Sequence, residues 1–486
     1  MNLDENTEYN KFSDFEFSDS INKGIKEAGF QVPSPIQSKT IPIIMQGKDI
    51  IAQAHTGTGK TAAFGLPSMD RLAGTRGVGM LIITPTRELA TQLGDELYRL
   101  GRHAGIQTVT VYGGNSYGRQ ISLISRGAQV VVATPGRLKD LLKNRNLKNF
   151  NPKIVVLDEA DEMLDMGFLD DIKEIFTYLP DERQTLLFSA TIPKPIKSLA
   201  DRILKKPISI NVIPKDSDTH EDIAQRYFVI EEYERDDAIT RLIEHEDPVK
   251  SIIFCRTKKE VDRLSTLLVS RGYAAKGLHG DMEQPQREEV IKSFRKGNID
   301  TLIATDVAAR GLDITDVSHV FNFHIPFDKD SYVHRIGRTG RAGRKGDAIT
   351  LVTPLELKEL LHIKSSVGKS LEIATIPSIT QVRSKELSRI VEKIKVTKIL
   401  DEATEIYVAL EEEIDSSQIT IKAISLLLEK EEVDGPNEIG FTKAQVEKLI
   451  KVHRSKGRLG GSKKRYSGRG RSSDQRNRGS RRRSRR

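Results

Sequence analysis

Short apolar runs separated by helical patterns recur along the first part of the chain. Runs that favour strands occupy residues 50–51, 80–83, 109–111, 130–132, 154–157, 186–188 and 208–210. Strands of a parallel sheet are buried on both faces, so they are continuously apolar, and the helices between them cover the sheet. The pattern predicts a parallel α/β domain over residues 12–212, with ligands expected at the carboxyl ends of its strands.

The same alternation returns after a polar segment. Residues 213–222 break the periodicity and are interpreted as a linker. Strands are then predicted at residues 227–230, 251–254, 301–304, 319–322 and 348–351. We therefore expect a second parallel-sheet domain over residues 223–358, so the predicted fold class is α/β with two tandem sheets.

The two ends of the chain and its C-terminal third depart from this pattern. Residues 1–11 and the Arg/Gly/Ser-rich residues 454–486 are expected to be disordered. Residues 359–453 carry apolar side chains at helical spacing, for example Leu387, Ile390 and Ile394. They are interpreted as a helical extension.

A glycine-bearing turn follows the first apolar run. Gly57 and Gly59 let backbone N–H groups approach a polyphosphate at the start of a helix, whose dipole adds to the attraction. Lys60 places a charge on the outer phosphates, and the hydroxyl of Thr61 can ligate magnesium. The nucleotide site is therefore predicted at Ala54, His55, Thr56, Gly57, Thr58, Gly59, Lys60 and Thr61. Ala54 stands where the general motif has glycine, and an ordinary loop is the alternative for this segment taken alone.

A carboxylate pair ends another strand. Asp158 is placed to hold magnesium, and Glu159 to orient or deprotonate the attacking water. A cluster of acids that caps a helix N-terminus is the alternative. At the next strand end, the hydroxyls of Ser189 and Thr191 can bridge Asp161 to the nucleic-acid side, although a simple helix cap before Pro193 explains them almost as well.

A proline-stiffened segment near the N-terminus, residues 29–37, offers an amide that can read a base. Gln37 has both a donor and an acceptor, the pair needed for the edge of an adenine. A surface glutamine in a Pro-rich turn is the alternative.

Other strand ends carry hydroxyls, helix-start N–H groups and arginines, which can grip a phosphodiester backbone without reading bases. In the first domain these residues are Pro85, Thr86, Arg87, Gly114, Thr134, Pro135, Gly136 and Arg137. In the second domain Gly280 and Arg287 face the same side, and Asp313 is placed to accept from a ribose hydroxyl. Each is more often a cap or turn residue, but together they predict a nucleic-acid track.

The second domain has no glycine loop after its strand that ends at Cys255, so it cannot cradle a phosphate in the same way. It carries instead a basic, glycine-rich run at residues 334–341. Arg338 and Arg341 can reach a γ-phosphate presented by the first domain, and arginines in that role are worth about 10³–10⁵ in rate. A solvated turn or an RNA contact is the alternative.

Charge and composition narrow the function class. Residues 454–486 contain 15 Lys or Arg and one acid, so the first 453 residues carry −5 of the net +9. Such a tail binds nucleic acid without sequence preference, or it only confers solubility. The single cysteine, Cys255, excludes a disulfide framework and favours a buried strand thiol in a reducing cytoplasm. No apolar run approaches the ~20 residues of a membrane span, and residues 1–16 do not match a signal peptide.

Taken together, these motifs resemble those of the bacterial DEAD-box ATP-dependent RNA helicases of superfamily 2, over residues 12–353. Residues 54–61 have that family's own form of the phosphate loop, which accounts for Ala54. The literal Asp-Glu-Ala-Asp at residues 158–161 and the run at residues 334–341 are the most specific matches. The resemblance implies two RecA-like domains that close on ATP, magnesium and RNA.

The resemblance also implies roles by position. The family's ATPase positions correspond to Lys60, Thr61, Asp158, Glu159, Arg338 and Arg341. Its adenine-reading positions correspond to Phe12, Phe30 and Gln37, and Phe12 would stack on the base. The positions that couple hydrolysis to unwinding correspond to Asp161, Ser189, Thr191 and His334. Arg87, Gly114, Thr134, Gly136, Arg287 and Thr305 match the RNA track, to which we add Arg256. His55 stands where the family usually has another polar residue and has no assigned function.

The expected function is an RNA-stimulated ATPase that opens short RNA duplexes locally and non-processively. A translocating DNA helicase and a non-catalytic RNA clamp are the alternatives. The helical extension resembles a segment through which some bacterial relatives form homodimers, although a helical subdomain packed on the core is nearly as compatible. Ribosome assembly, cold adaptation and RNA decay, with the partners that each implies, remain open.

Overall fold

The computed structural model describes residues 9–55, 57–114, 116–144, 146–147, 150–213, 222–309, 314, 317–340, 344–367, 371–428 and 435–459. The predictions at Thr56, Asp313 and Arg341 lie outside these residues, as do those for residues 1–8, 214–221 and 460–486.

The first domain is built on a seven-stranded parallel sheet. Its strands are β1 (Ile50–Gln53), β2 (Met80–Ile83), β3 (Thr108–Val111), β4 (Val130–Ala133), β5 (Ile154–Leu157), β6 (Gln184–Ser189) and β7 (Ile208–Asn211). They are ordered β3-β4-β2-β5-β6-β1-β7, and each pairing is parallel. All seven apolar runs that the sequence offers in this domain are strands.

Helices cover both faces of this sheet. They are α1 (Asp19–Glu27), α2 (Pro35–Met45), α3 (Lys60–Leu72), α4 (Arg87–Gly101), α5 (Tyr117–Ser125), α6 (Pro135–Lys143), α7 (Ala160–Asp165), α8 (Leu169–Phe176) and α9 (Lys194–Ile203). Successive residues of β5 enter opposite hydrophobic clusters: Ile154 and Val156 lie in one, Val155 and Leu157 in the other. Alternation between two buried faces explains why the strand is apolar throughout.

The second domain repeats the architecture. Its strands are β8 (Ile223–Val229), β9 (Ser251–Cys255), β10 (Ala275–Leu278), β11 (Thr301–Thr305), β12 (His319–Asn322), β13 (Gly346–Val352) and β14 (Leu371–Ala374), in the order β10-β11-β9-β12-β13-β8-β14. Its helices are α10 (Arg235–Glu246), α11 (Lys258–Ser270), α12 (Gln284–Lys296), α13 (Asp306–Ala309), α14 (Lys329–Ile336) and α15 (Leu357–Val367). Cys255 is completely buried at the end of β9, as predicted.

The two outermost strands of the second sheet, β10 and β14, were missed by sequence analysis. Each is only four residues long and has a neighbour on one side, so neither needs a continuous apolar run. Lys276 and Gly277 occupy the middle of β10. Because β14 pairs with β8, the sheet extends beyond residue 358, where the sequence analysis ended the domain.

The helical extension leaves the second domain and returns to it. It contains α16 (Ile379–Val396), α17 (Asp401–Glu411) and α18 (Ser416–Leu428), and the chain comes back through α19 (Lys443–Leu459). The N–H of Phe441 donates to the carbonyl oxygen of Val229, and Val446 is completely buried in the second domain. Residues 359–453 are therefore not one separate unit, and the predicted disordered tail starts too early because α19 continues to Leu459.

The N-terminal segment that was predicted to be disordered, residues 1–11, extends too far, because residues 9–11 make defined contacts. The ring of Tyr9 stacks on that of Phe15, with centroids 4.7 Å apart. The N–H groups of Asn10 and Lys11 donate to the carboxylate of Asp14. No helix among the described residues combines the length and apolar character needed to cross a bilayer.

Candidate active site

Two glycines shape the loop between β1 and α3. Gly57 has φ 78° and Gly59 φ 89°, a region that other residues rarely adopt. A Cβ atom on Gly59 would also lie 2.4 Å from Nε2 of Gln37. Ala54 is completely buried, and its N–H donates to the carbonyl oxygen of Ser189 at 3.0 Å. The loop is thereby fixed to the end of β6, in a conformation that points to a structured binding loop.

The segment that precedes α2 braces this loop from outside. Nε2 of Gln37 donates to the carbonyl oxygen of Gly59 at 3.1 Å, and Ser34 Oγ donates to that of Thr58 at 2.7 Å. The Ser34 N–H donates to Oε1 of Gln37 at 2.8 Å, and Thr58 Oγ1 donates to the His55 carbonyl. Gln37 is buried, so the surface-glutamine alternative is wrong. Its contact with adenine stays a prediction.

The two aromatic residues predicted beside the base are packed on each other. Phe12 and Phe30 stack with centroids 5.6 Å apart and an interplanar angle of 22°. Phe12 is only 4% exposed and also meets the edge of Phe15. One face of Phe12 is thus occupied within the protein, and its stacking on a base stays a prediction.

A buried ammonium group lies at the start of α3. Nζ of Lys60 is 3.8 Å from Oδ1 of Asp158 and 4.0 Å from Oε1 of Glu159. It makes no hydrogen bond to any residue that the structure describes. A buried cation with only long contacts to carboxylates has donors free for a further anion, and a phosphate oxygen fits this requirement.

Glu159 has an unusual backbone and an unusual acidity. Its φ of 54° is left-handed, and its side chain makes no capping hydrogen bond to α7, so the helix-cap alternative does not account for it. Burial raises the pKa of Glu159 to about 7, although Lys60 opposes the shift. Burial likewise raises the pKa of Asp158 above its usual range. A carboxylate that titrates near neutral pH suits a general base.

Asp161 joins the carboxylate strand to the end of β6. Its N–H donates to Oγ of Ser189 at 3.1 Å, and its Oδ2 accepts from the N–H of Thr191 at 2.7 Å and from its hydroxyl at 3.0 Å. The N-cap of α9 is Pro193, without a side-chain cap. The helix-cap alternative for Ser189 and Thr191 is therefore wrong. Both residues reach Asp161, and their link to the nucleic-acid side stays a prediction.

The second domain faces the same acidic cluster. Nδ1 of His334 on α14 lies 3.1 Å from Oε1 of Glu162. Burial lowers the pKa of His334, but Glu162 and the neighbouring acids outweigh it and leave this pKa above its ordinary value. The charge of Arg338 also opposes the raised pKa of Glu159, to a lesser extent than that of Lys60. Both domains thus contribute to one polar site.

Three charged residues, each next in sequence to a predicted site residue, were not singled out from the sequence. Glu162 pairs with His334; Glu88 pairs with Arg287 at 2.9 Å; and Arg335 is buried. Arg335 holds both carboxylate oxygens of Asp306 at 2.6 and 2.7 Å, and also donates to Asn322 and to the carbonyl of His324. The sequence shows each of these charged residues beside a motif, but it does not show which distant residue each one pairs with.

The predicted track residues of the first domain meet at the carboxyl ends of β2, β3 and β4. Pro85, Thr86 and Arg87 follow β2, Gly114 follows β3, and Thr134, Pro135, Gly136 and Arg137 follow β4. Thr86 caps α4 by accepting from the N–H of Leu89 at 3.2 Å. A Cβ atom on Gly114 would lie 2.7 Å from the Arg87 guanidinium, which shows how closely the two approach.

The four residues of the second domain that are predicted to contact RNA differ in their burial and in their partners. Thr305 ends β11 and is buried, and Gly280 is exposed after β10. Arg256 donates to Glu356 at 3.1 Å, and Arg287 is paired with Glu88 across the domain interface. Because both arginines have protein partners, their RNA contacts stay a prediction.

Comparison with known proteins identifies relatives along most of the chain. The DEAD/DEAH box helicase family model matches residues 34–199, and the helicase conserved C-terminal domain model matches residues 234–343. DEAD-box ATP-dependent RNA helicase RhpA of Helicobacter pylori is 51% identical over 422 residues, which are 87% of this chain and 84% of the relative. DEAD-box ATP-dependent RNA helicase CshA of Bacillus subtilis is 41% identical over 461 residues, 94% of this chain and 93% of the relative.

A solved structure shows the same two-domain arrangement. Dbp5 of S. cerevisiae bound to RNA and ADP BeF3 superposes with a TM-score of 0.68 at 32% identity, over 79% of this chain and all of that chain. The predicted pair of RecA-like domains is confirmed.

Proposed function

The chain belongs to the DEAD-box ATP-dependent RNA helicases, and we propose that it couples RNA-stimulated ATP hydrolysis to local, non-processive opening of short RNA duplexes. The observation that carries this proposal is the shared polar site, in which Lys60 lies beside Asp158 and Glu159 of the first domain and His334 of the second domain contacts Glu162 of the same acidic cluster. A site divided between two domains is active only when both are drawn together, so RNA that bridges them would control hydrolysis.

Each residue of the site has a distinct part in this proposal. The loop of Gly57 and Gly59 would hold the phosphates, and Lys60 would meet their outer oxygens. Thr61 and Asp158 offer the oxygen ligands that magnesium prefers, and the ion would neutralise charge on the phosphates. Glu159 would accept the proton of the attacking water.

The arginines and the coupling residues complete the cycle. Arg338, and Arg341 beyond the described residues, would stabilise the charge of the transition state. The links from Asp161 to Ser189 and Thr191, and from Glu162 to His334, join the catalytic strand end to both domains. Loss of the γ-phosphate would weaken this assembly, open the domains and release the strand.

Neither alternative from the sequence is favoured by the comparisons, since the similar proteins are named RNA helicases rather than DNA helicases or clamps. Remodelling of RNA–protein complexes in the cytoplasm, in ribosome assembly, cold adaptation or RNA decay, is the setting that we propose.

The test measures ATP hydrolysis by the purified full chain with single-stranded RNA or single-stranded DNA of the same sequence, and the opening of a short RNA duplex in a parallel assay. RNA should stimulate hydrolysis and DNA should not, because the track would contact 2′-hydroxyls. Arg338→Ala and Arg341→Ala should each lose about 10³-fold or more in RNA-stimulated rate. Equal stimulation by DNA, or full activity of Arg341→Ala, contradicts the proposal.

We also propose that the helical extension forms a homodimer. Leu387, Val391 and Ile394 are 51%, 49% and 47% exposed and recur at helical spacing on α16. None of the residues of α17, all of which are described, is buried against the rest of the chain. A helical subdomain packed on the core would bury these positions, so a second copy covers them better.

Sedimentation equilibrium tests this second proposal. Ending the chain near residue 370 is unsuitable because it would remove Val446 from the second domain. Leu387→Glu combined with Val391→Glu should instead halve the mass of the wild-type particle. Val249→Glu, at a side chain that is 82% exposed elsewhere in the second domain, is the matched control. An unchanged mass for the double variant, or a monomeric wild type, contradicts the dimer.

A further inference from the structure

An exposed aromatic ring lies among the predicted track residues of the first domain. Tyr117 is the first residue of α5, three positions after Gly114 and therefore close to the end of β3. Gly114 in turn lies against Arg87, which follows β2. Tyr117 belongs to the same edge of the sheet as the residues predicted to grip the phosphodiester backbone, although no motif singled it out.

Tyr117 is held by α6 rather than by the hydrophobic core. The guanidinium carbon of Arg137 lies 3.8 Å from the centre of the tyrosine ring, the geometry of a cation–π contact. The hydroxyl of Tyr117 donates to Oδ2 of Asp140 at 3.3 Å, one helical turn beyond Arg137. The tyrosine is not part of either hydrophobic cluster of this domain. Among the described residues, Arg137 and Asp140 are thus the polar neighbours that orient its ring.

The same contacts orient Arg137. Its Nη1 donates to Oε1 of Gln120 at 3.2 Å, and Nε2 of Gln120 donates to the carbonyl oxygen of Tyr112 at 3.0 Å. Gln120 is buried one turn after Tyr117 on α5. Side chains from α5 and α6 thus interlock, and the guanidinium lies over the ring at the end of this chain of contacts.

The exposed part of the ring suits a nucleobase. Tyr117 is 41% exposed although Arg137 lies over its ring. Unpaired bases stack on aromatic side chains without regard to sequence, since every base has a π face. We propose that Tyr117 is a further RNA-contact residue, whose ring stacks on a base of the bound strand while it positions Arg137 for the adjacent phosphate. This inference rests on the proposed function, because it presumes that RNA follows the track.

Affinity for single-stranded RNA, measured by fluorescence anisotropy with the full chain and a non-hydrolysable ATP analogue, tests the proposal. Tyr117→Ala should bind RNA about tenfold more weakly. Tyr117→Phe keeps the ring and should bind within about twofold of wild type, whereas Tyr117→Leu should behave like the alanine variant. Tyr178→Ala is the matched control, because Tyr178 is also 41% exposed but follows α8 at the opposite edge of the sheet.

A second measurement does not depend on the variants folding. RNA that carries 5-iodouridine should crosslink to Tyr117 of the wild-type protein, as located by mass spectrometry of the peptides. Loss of the Arg137 contact in Tyr117→Ala should also reduce the salt dependence of binding by about one phosphate. The proposal is overturned if Tyr117→Ala or Tyr117→Leu binds RNA like wild type, or if crosslinks form only elsewhere. Failure of the wild-type chain to bind RNA would instead overturn the proposed function.

Discussion

The acidity of a single carboxyl group sets a pH dependence for this site. Burial raises the pKa of Glu159 to about 7, so this side chain is protonated below that pH and ionised above it. A general base must be ionised to accept a proton, so kcat/KM for ATP at saturating RNA should fall as the pH drops through about 7. Rates of phosphate release from about pH 5.5 to 8.5 measure this.

Substitution of Glu159 distinguishes protonation of this residue from a loss of activity caused by acid unfolding of the protein. Glu159→Gln should lower kcat by about 10²–10⁴-fold and abolish the acidic limb of the profile. ATP affinity should remain measurable, since Lys60 and the glycine loop are intact. A Glu159→Gln variant that hydrolyses ATP at the wild-type rate, or that keeps the same acidic limb, would show that another group accepts the proton.

Residues whose position in the fold follows from close neighbours in sequence were placed correctly, while their roles stay predictions. Lys60 and Thr61 follow Gly59 at the start of a helix, and Asp158 and Glu159 directly follow an apolar strand, so local order alone places each of them. The bracing of the loop by Gln37 depends on the packing of α2 against α3, which no local pattern reveals. The left-handed backbone of Glu159 is likewise imposed by its surroundings, against its own preference.

At the scale of elements, helices α4 and α12 carry a contact between the domains. Oε1 of Glu88 lies 2.9 Å from Nη2 of Arg287, and both side chains are about seven-eighths buried, at 13% and 14% exposure. Reversing one charge leaves two like charges facing each other in a poorly hydrated site. Glu88→Arg and Arg287→Glu should each reduce RNA-stimulated hydrolysis at least about tenfold, whereas the combined reversal should recover much of that loss.

The activity recovered by the double variant shows whether the main partner of Arg287 is Glu88 or RNA. If its main partner is RNA, as the sequence predicted, the double reversal will remain as impaired as Arg287→Glu alone. Lys276→Glu makes the same change of charge at an exposed position on β10 and should have little effect. Fluorescence energy transfer between dyes on the two domains, with RNA and an ATP analogue bound, should show the same order of variants if the pair stabilises closure.

Helix α19 makes a different prediction, because it completes the core of the second domain. Val446 is completely buried in the cluster that also contains Tyr227, Leu360 and Leu371. Val446→Ala removes two buried methyl groups and leaves a cavity, which should cost about 2 kcal/mol of unfolding free energy. Cys255 is the single cysteine and is buried in this domain, so its reaction with a thiol reagent across a urea series reports the unfolding of the second domain selectively.

The matched control lies on the same helix. Val452 is 52% exposed, so Val452→Ala should leave the urea midpoint unchanged. Equal midpoints for Val446→Ala and the wild type would show that α19 is not part of this domain's core.

The strands that sequence analysis missed share a physical cause. Central strands such as β4 are buried on both faces and read as Val-rich runs, whereas β10 and β14 lie at the rims of their sheet and tolerate Lys276 and Glu372. The return of α19 to the second domain was missed for a related reason. It depends on contacts between residues more than 200 positions apart, such as the hydrogen bond from Phe441 to Val229, and periodicity has no information at that range.

At the scale of the whole molecule, the proposed site draws residues from both domains, and we propose that the basic tail supplies RNA to it. The two sheets have similar strand orders, yet only the first has a glycine loop, and the second contributes His334 and Arg338 instead. A chain of this kind keeps its chemical step in the core, so a segment outside the core can change how often RNA arrives without changing hydrolysis itself.

Removal of the residues after Leu459 tests this division. That segment holds twelve Lys or Arg and one Asp. Its loss should leave kcat at saturating RNA unchanged but raise the RNA concentration for half-maximal hydrolysis about tenfold at low salt, and the difference should shrink as salt releases its bound counterions. A chain of full length in which the twelve basic residues are glutamine should match the truncated one. If the truncated chain shows the wild-type half-maximal concentration and salt dependence, the tail serves solubility, and the core alone must recruit RNA.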